Sequence, residues 1–302
     1  LVEMLLRAVS PDDIPTLLQS IVQLRAVRRL VEEADSPIEF EGRIYRVLEM
    51  PSFPEIISHL AAPHFEPLVL LLADDPTSKV CQLLGALLSQ HTAGNEEFIG
   101  EQLQTAPPEA CAPLVQGLLA HPTSAALLAL RKGAANGNDR VRFMTMKGRV
   151  HLRDPSISED FDRIARSGLP EVRVAALKLV RSARLSGVAN LLAAIANEER
   201  FHALPLQERQ ILLTTLLEVH ATTGEHVCME LIRPDALLRE ASHESTRELS
   251  AQLLGSLSRS PRILEFLEAE SKRFVRHTRE FRTTLTASAE QIRSRLRHGQ
   301  SR

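Results

Sequence analysis

The densest concentration of chemistry in the chain is cationic. Residues 131–184 hold 13 basic side chains against six acidic ones, Arg140, Arg142, Lys147, Arg149 and Arg153 among them. Contact with phosphate groups needs no more than such a stripe. Base extrusion or stacking also needs aromatic platforms, and this stretch offers only Phe143 and Phe161. Phe143 reads more simply as a core residue, and an overall pI near 6.6 weighs against a dedicated polyanion binder. The stronger expectation is therefore a protein partner met by Arg140, Arg142, Lys147, Arg149, Arg173 and Arg181. Binding of a nucleic-acid phosphate backbone by the same residues is the weaker one.

Other constellations fail on spacing. Zinc hydrolases carry two His one helical turn apart with a Glu between, because positions i and i+4 share a face and grip one metal. His243-Glu244-Ser245-Thr246-Arg247 ends in Arg and lacks the second ligand. His220, His226 and Cys228 are close in sequence, but Gly224 reads as a turn between them and no fourth ligand is evident. Lys132-Gly133-Ala134-Ala135-Asn136-Gly137 has glycines without the Gly-Lys-Ser/Thr order of a phosphate-cradling loop. Acid pairs such as Asp12-Asp13, Asp74-Asp75 and Glu96-Glu97 fall at turns or helix starts, where the positive helix end favours them. No Gly-x-Ser-x-Gly elbow appears. No catalytic residue, metal or cofactor is expected.

The elements that must position these residues are helical. Apolar residues recur at steps of three and four, as in Ile14, Leu17, Leu18, Ile21 and Val22, or Val80, Leu83, Leu84, Leu87 and Leu88. Two-residue alternation of β-branched residues is almost absent, so the expectation is an all-α chain. Pro76, Pro122, Pro170 and Pro205 each stand just before an apolar helical pattern, and a further start follows at Ser242. Proline in the first turn sacrifices no helical hydrogen bond, so each marks a helix entry. Gly133 to Asp139 is the strongest break in the middle of the chain and predicts a loop. From Arg262 to His298 there is no Gly or Pro, and Leu267, Phe274, Phe281, Leu285, Ile292 and Leu296 line one side of a long amphipathic helix or of two joined tightly.

A helix, a turn and a second helix in about 35 to 47 residues is the period of helical solenoids. Glu171-Val172-Arg173-Val174-Ala175-Ala176-Leu177-Lys178-Leu179 resembles the second-helix pattern of the HEAT-repeat family, Val-Arg-x-x-Ala-x-x-Ala/Leu. Thr246 to Gly255 is a looser copy, and Val80 to Gly85 looser still. The resemblance implies a right-handed α-solenoid of stacked antiparallel helix pairs ending in the long amphipathic helix. It also implies that Arg173 bonds within or between repeats, as the corresponding Arg often does in the family. Some HEAT-like proteins, the alkylpurine DNA glycosylases, bind DNA on a concave surface, but the aromatic poverty here speaks against that activity. The expected division is an irregular N-terminal helical or capping region over 1–65, a repeat array over 66–260, and a C-terminal helix or cap over 261–302.

Composition narrows the rest. Ten Phe, one Tyr and no Trp in 302 residues argue against aromatic-cage or stacking recognition. No apolar run is longer than Leu68 to Ala73, far short of the ~18 residues a membrane span needs, so no membrane insertion is expected. Glu3 and Arg7 interrupt the opening stretch, which does not read as a secretory signal. Three widely spaced cysteines, Cys81, Cys111 and Cys228, fit a reducing, cytoplasmic setting. Charge is polarised: seven basic against 17 acidic side chains over 1–130, and 11 against five over 259–302. The function expected is that of a non-enzymatic scaffold for protein–protein interaction, with the alternative that this is the regulatory or scaffolding part of a longer protein.

Overall fold

The computed structural model describes residues 37–40, 43–46, 65–74, 84–86, 88–233, 241–273 and 277–300. The helix expected at Ile14–Val22, the helix entry at Pro76, Cys81 and Phe274 lie outside them. The chain divides into two compact units, Leu1–Asp160 and Phe161–Arg302.

The described part of the first unit holds one pair of antiparallel strands, β1 (Ile38–Phe40) and β2 (Arg43–Tyr45), in the register Ile38 to Tyr45 and Phe40 to Arg43. The all-α expectation missed this pair. Its residues, Ile-Glu-Phe and Arg-Ile-Tyr, are the β-branched and aromatic types that suit a pleat, but each run is only three long. Among the described residues everything else in regular structure is helical. The helices are α1 (Phe65–Asp74), α2 (Glu96–Thr105), α3 (Pro108–Ala120), α4 (Ser124–Lys132) and α5 (Asp139–His151). The unit boundary falls within α6 (Ile157–Ala165).

Local chemistry sets these starts. Pro108 occupies the first turn of α3, and the Thr123 hydroxyl caps α4 by accepting from the Ala126 N–H at 3.0 Å. The break at Gly133 to Asp139 is a single 3-10 turn followed by Asn136, which is buried. Its amide donates to the Leu103 and Ala106 carbonyls at 2.9 and 3.1 Å, closing the C-terminus of α2. Helix α2 packs on α4, and α3 on α5. Leu103, Leu114, Leu130 and Val141 are fully buried where these layers meet, each contributing about 1.5–3 kcal/mol of burial.

The second unit continues with α7 (Pro170–Ala183), α8 (Ala189–Ala196), α9 (Glu199–Ala203), α10 (Leu206–Val219), α11 (Ala221–Ile232), α12 (Ala241–Leu257), α13 (Pro261–Ser271) and α14 (Arg279–Gln300). Pro170 and Pro205 stand at the starts of α7 and α10, as their positions in the sequence predict. Helix α7 packs on α10, α10 on α12, and α12 on α14, while α11 bridges α10 and α12 and α13 packs on α14. Val180, Leu213, Leu216, Leu254 and Phe281 fill the shared interior. The C-terminal segment is two helices, with α14 burying Phe281, Leu285, Ala289 and Ile292 on one stripe. No helix among the described residues is long and apolar enough to cross a membrane.

Candidate functional site

Four of the six candidate cations, Arg140, Arg142, Lys147 and Arg149, lie on α5. Arg140 and Lys147 are exposed, whereas Arg142 is half-buried and pairs with Asp139 one turn earlier. Arg149 turns inward and is 3 % exposed. Its Nε donates to Asp154 Oδ2 at 2.7 Å, its Nη1 to Asp160, and its Nη2 to the Ser156 carbonyl at 3.2 Å. From α4, Arg131 clasps the same Asp154 with Nε at 3.0 Å and Nη2 at 2.7 Å. The Arg131 guanidinium, with Ser156 and Arg149, holds the Asp154 carboxyl well below the usual carboxylate range although burial opposes it. Arg153 takes the left-handed conformation, φ 57°, and so folds the chain back to place Asp154 beneath α5.

The remaining two candidates are on α7 in the second unit. Arg173 donates through Nη2 to Glu208 Oε2 at 2.8 Å and through Nε to Oε1 of the same carboxylate, and its Nη1 reaches the Ser167 carbonyl at 2.5 Å. Arg181 donates to Glu218 at 2.5 Å with half its side chain exposed. Thus the geometry commits Arg149 and Arg173 to internal carboxylates and leaves Arg140, Lys147 and Arg181 at the surface.

The structure gathers a polar cluster that the spacing of the sequence did not reveal, at the N-terminal end of α12. His202 of α9 stacks on His243 with ring centroids 3.9 Å apart and planes 20° from parallel. The His202 Nδ1 lies 3.1 Å from the Thr246 hydroxyl, which also accepts from Arg209, and Arg209 donates to the Ser245 hydroxyl at 3.0 Å. His243 Nε2 is 3.5 Å from a Glu199 carboxylate oxygen. Burial first, then the neighbouring His243 and Arg209 charges, lower the pKa of His202, while Glu199 acts in the opposite sense.

The next residue, Arg247, is 4 % exposed and opens a second chain of contacts. It donates to Glu244 at 2.6 Å, to the Ile232 carbonyl at 3.2 Å and to His277 Nδ1 at 2.7 Å, and its guanidinium carbon sits 4.3 Å from the Phe281 ring centroid. Arginine has donors only, so His277 Nδ1 is the acceptor and its Nε2 carries the proton given to Glu270, 3.0 Å away. Arg273 pairs with the other Glu270 oxygen at 2.8 Å. His243 to Arg247, which fails as a zinc motif, therefore sends His243, Ser245, Thr246 and Arg247 to groups beyond α12, with Glu244 pairing Arg247 within it.

The trio His220, His226 and Cys228 does not converge. Gly224, read as a turn, lies inside α11, because a Cβ there would meet the Leu217 backbone of α10 at 2.7 Å and only glycine allows that approach. His220 caps α11 by accepting from the Thr223 N–H, whereas Cys228 is fully buried and its thiol is pushed up to about 12 by desolvation. Burial raises Cys111 likewise to about 12. Among the described residues, no group of three or more His, Cys, Asp or Glu is placed to hold a metal ion.

A groove of about 500 Å³ opens on the exposed sides of α10, α12 and α14. Gln210, Gln252 and Gln291 come to it from those three helices, over a floor that includes Leu249 and Leu253. None of its lining residues is ionisable. Across the Thr283–Ala287 ridge of α14 lies a second, shallower groove that carries Arg279, Arg282 and Glu290.

Comparison with protein-family models and with curated proteins finds no match for this chain.

Proposed function

We propose that this chain is a non-enzymatic HEAT-like repeat scaffold that binds a protein partner, its helix pairs stacking as a right-handed α-solenoid within each unit. The observation that carries the reading is a recurrent offset between paired residues. Arg173 reaches Glu208, 35 residues on; Arg209 reaches Ser245 and Thr246, 36 and 37 on; Arg181 reaches Glu218, 37 on. Each pair joins one helix to the next in the series α7, α10, α12. An offset near 36 residues is the period of a two-helix repeat, and stacked repeats bury a continuous core that no single pair closes alone.

The ionisable groups that the fold buries support the same reading. Asp154, Arg149, Glu208, Arg247 and Glu270 are each paired with an opposite or donating group from another part of the chain, which spends them on cohesion. What the repeats leave outward is exposed helix surface, the part of a solenoid that partners read.

Affinity capture with the full chain tests this, run at low and physiological salt with nuclease-treated controls and read by mass spectrometry. A defined protein set that survives nuclease and physiological salt is expected. Recovery of nucleic acid with its usual companions, lost on nuclease treatment and steeply salt-dependent, overturns the scaffold in favour of phosphate-backbone binding. Charge reversal at exposed Arg140, Lys147 and Arg181 then tests the basic surface: unaltered capture removes it from the interface.

A further inference from the structure

The geometry points to the groove over α10, α12 and α14 as the site where the scaffold takes an extended, uncharged peptide segment of its partner, held through main-chain hydrogen bonds to Gln210, Gln252 and Gln291. This rests on the scaffold reading and names the partner class for it.

Three observations converge. The three glutamines come from three successive helices into one groove, and all are exposed. None of their amides has a hydrogen-bond partner among the described residues, so all three are open to an incoming group. Each amide offers both donors and an acceptor, the complement of a peptide N–H and C=O, and an extended strand presents those groups outward along its length. Finally, a quarter of the chain is charged, yet no charge lines the groove. That neutrality matches a peptide main chain and disfavours a polyanion, which needs Lys or Arg on its phosphates.

The dimensions suit such an occupant. Helices packed about 8–10 Å apart put the outer two of three about 16–20 Å from each other. Five or six extended residues at about 3.3 Å each cover that span. The same groove has an apolar floor at Leu249 and Leu253, which alternate side chains of a strand would meet.

The test is a display library of random peptides of about twelve residues, panned on the full chain and counter-selected on a Gln210→Ala, Gln252→Ala, Gln291→Ala triple variant. Because all three side chains are exposed, the variant is expected to melt with the native chain, which circular dichroism checks. Selected peptides are expected to be poor in charge across a central stretch, to lose about tenfold or more in affinity on the variant, and to bind equally at about 50 and 300 mM salt. Enrichment of no peptide, or equal binding to both proteins, overturns the groove. Lysate capture of a partner that the triple variant retains in full also overturns the groove and leaves the scaffold reading standing. Capture of nucleic acid alone brings down both.

Discussion

Arg173 and Glu208 form a two-armed ion pair between α7 and α10, across 35 residues of sequence, with side chains 14 % and 5 % exposed. The residue after Glu208 repeats the move one step further on: Arg209 donates into the Ser245–Thr246 pair of α12. One dipeptide at the start of α10 therefore binds backward with its acid and forward with its base.

Breaking that pair on one side leaves a desolvated charge on the other. Arg173→Met or Glu208→Gln is expected to cost about 2–4 kcal/mol, toward the range for a buried pair, measured by urea denaturation of the full chain. The double variant Arg173→Met, Glu208→Leu is expected to recover a substantial part of the loss, since no uncompensated charge remains. Single losses that simply add would place the two residues in independent roles.

Asp154 ties stability to acid. Its carboxyl is held below the ordinary range first by Arg131, and the unfolded chain binds the proton more readily. Its contribution is complete above the unfolded value of about 3.9 and is lost as pH falls through the folded one. Asp154→Asn is expected to be less stable than the native chain by about 2–3 kcal/mol at neutral pH, with the two stability curves converging below about pH 4. A constant gap down to pH 2 would contradict this account.

Much of the helical framework is legible without coordinates, because the signals are local. Pro170 and Pro205 mark helix starts, Thr123 is a good cap, and Phe281, Leu285 and Ile292 form a buried stripe where the three- and four-residue steps place it. The inward turn of Arg149 is a different kind of fact. It depends on Asp154 being folded back by the left-handed Arg153, and a charged residue on an amphipathic helix carries no local mark of its partner. Gly224 misleads for a related reason: a glycine reads as a turn, but here it admits the α10 backbone. The polar run His243 to Arg247 meets its partners, and the three groove glutamines come together, only once helices distant in sequence are packed, a non-local property.

The His202 imidazole, stacked on His243, should titrate low. Burial, His243 and Arg209 depress the pKa of His202, so on acidification the unfolded chain takes this proton first. The stabilising contribution is therefore complete above the unfolded value of about 6.5 and falls away as pH drops toward the folded one. Histidine side-chain NMR is expected to show His202 titrating below the ordinary range, and His243→Gln is expected to move it upward by removing one neighbouring charge. An unchanged midpoint would mean that burial and Arg209 set it without His243.

At Gly255 the α12 backbone comes close to α14 beside Ser288, a residue that lines the glutamine groove. A Cβ at this position would lie 2.7 Å from the Ser288 Cα and 2.6 Å from its Cβ, and the first of these is backbone that no rotamer change relieves. The approach is also pinned at this point, since Arg295 of α14 donates to the Gly255 and Ser256 carbonyls, while Arg293 ties α14 to Glu268 of α13. An added methyl must therefore push α14 bodily away or strain both helices. Gly255→Ala is expected to destabilise the chain by about 1–3 kcal/mol or more in thermal or urea melts, the usual toll of overpacking. The same change at exposed Gly187, with open space around it, is expected to cost nothing comparable. If the groove is the peptide site, Gly255→Ala also weakens the selected peptides under conditions where the variant remains folded, because Gln252 and Gln291 ride on the two helices it separates. Full peptide affinity in a folded Gly255→Ala variant would show that the three amides do not act as one surface.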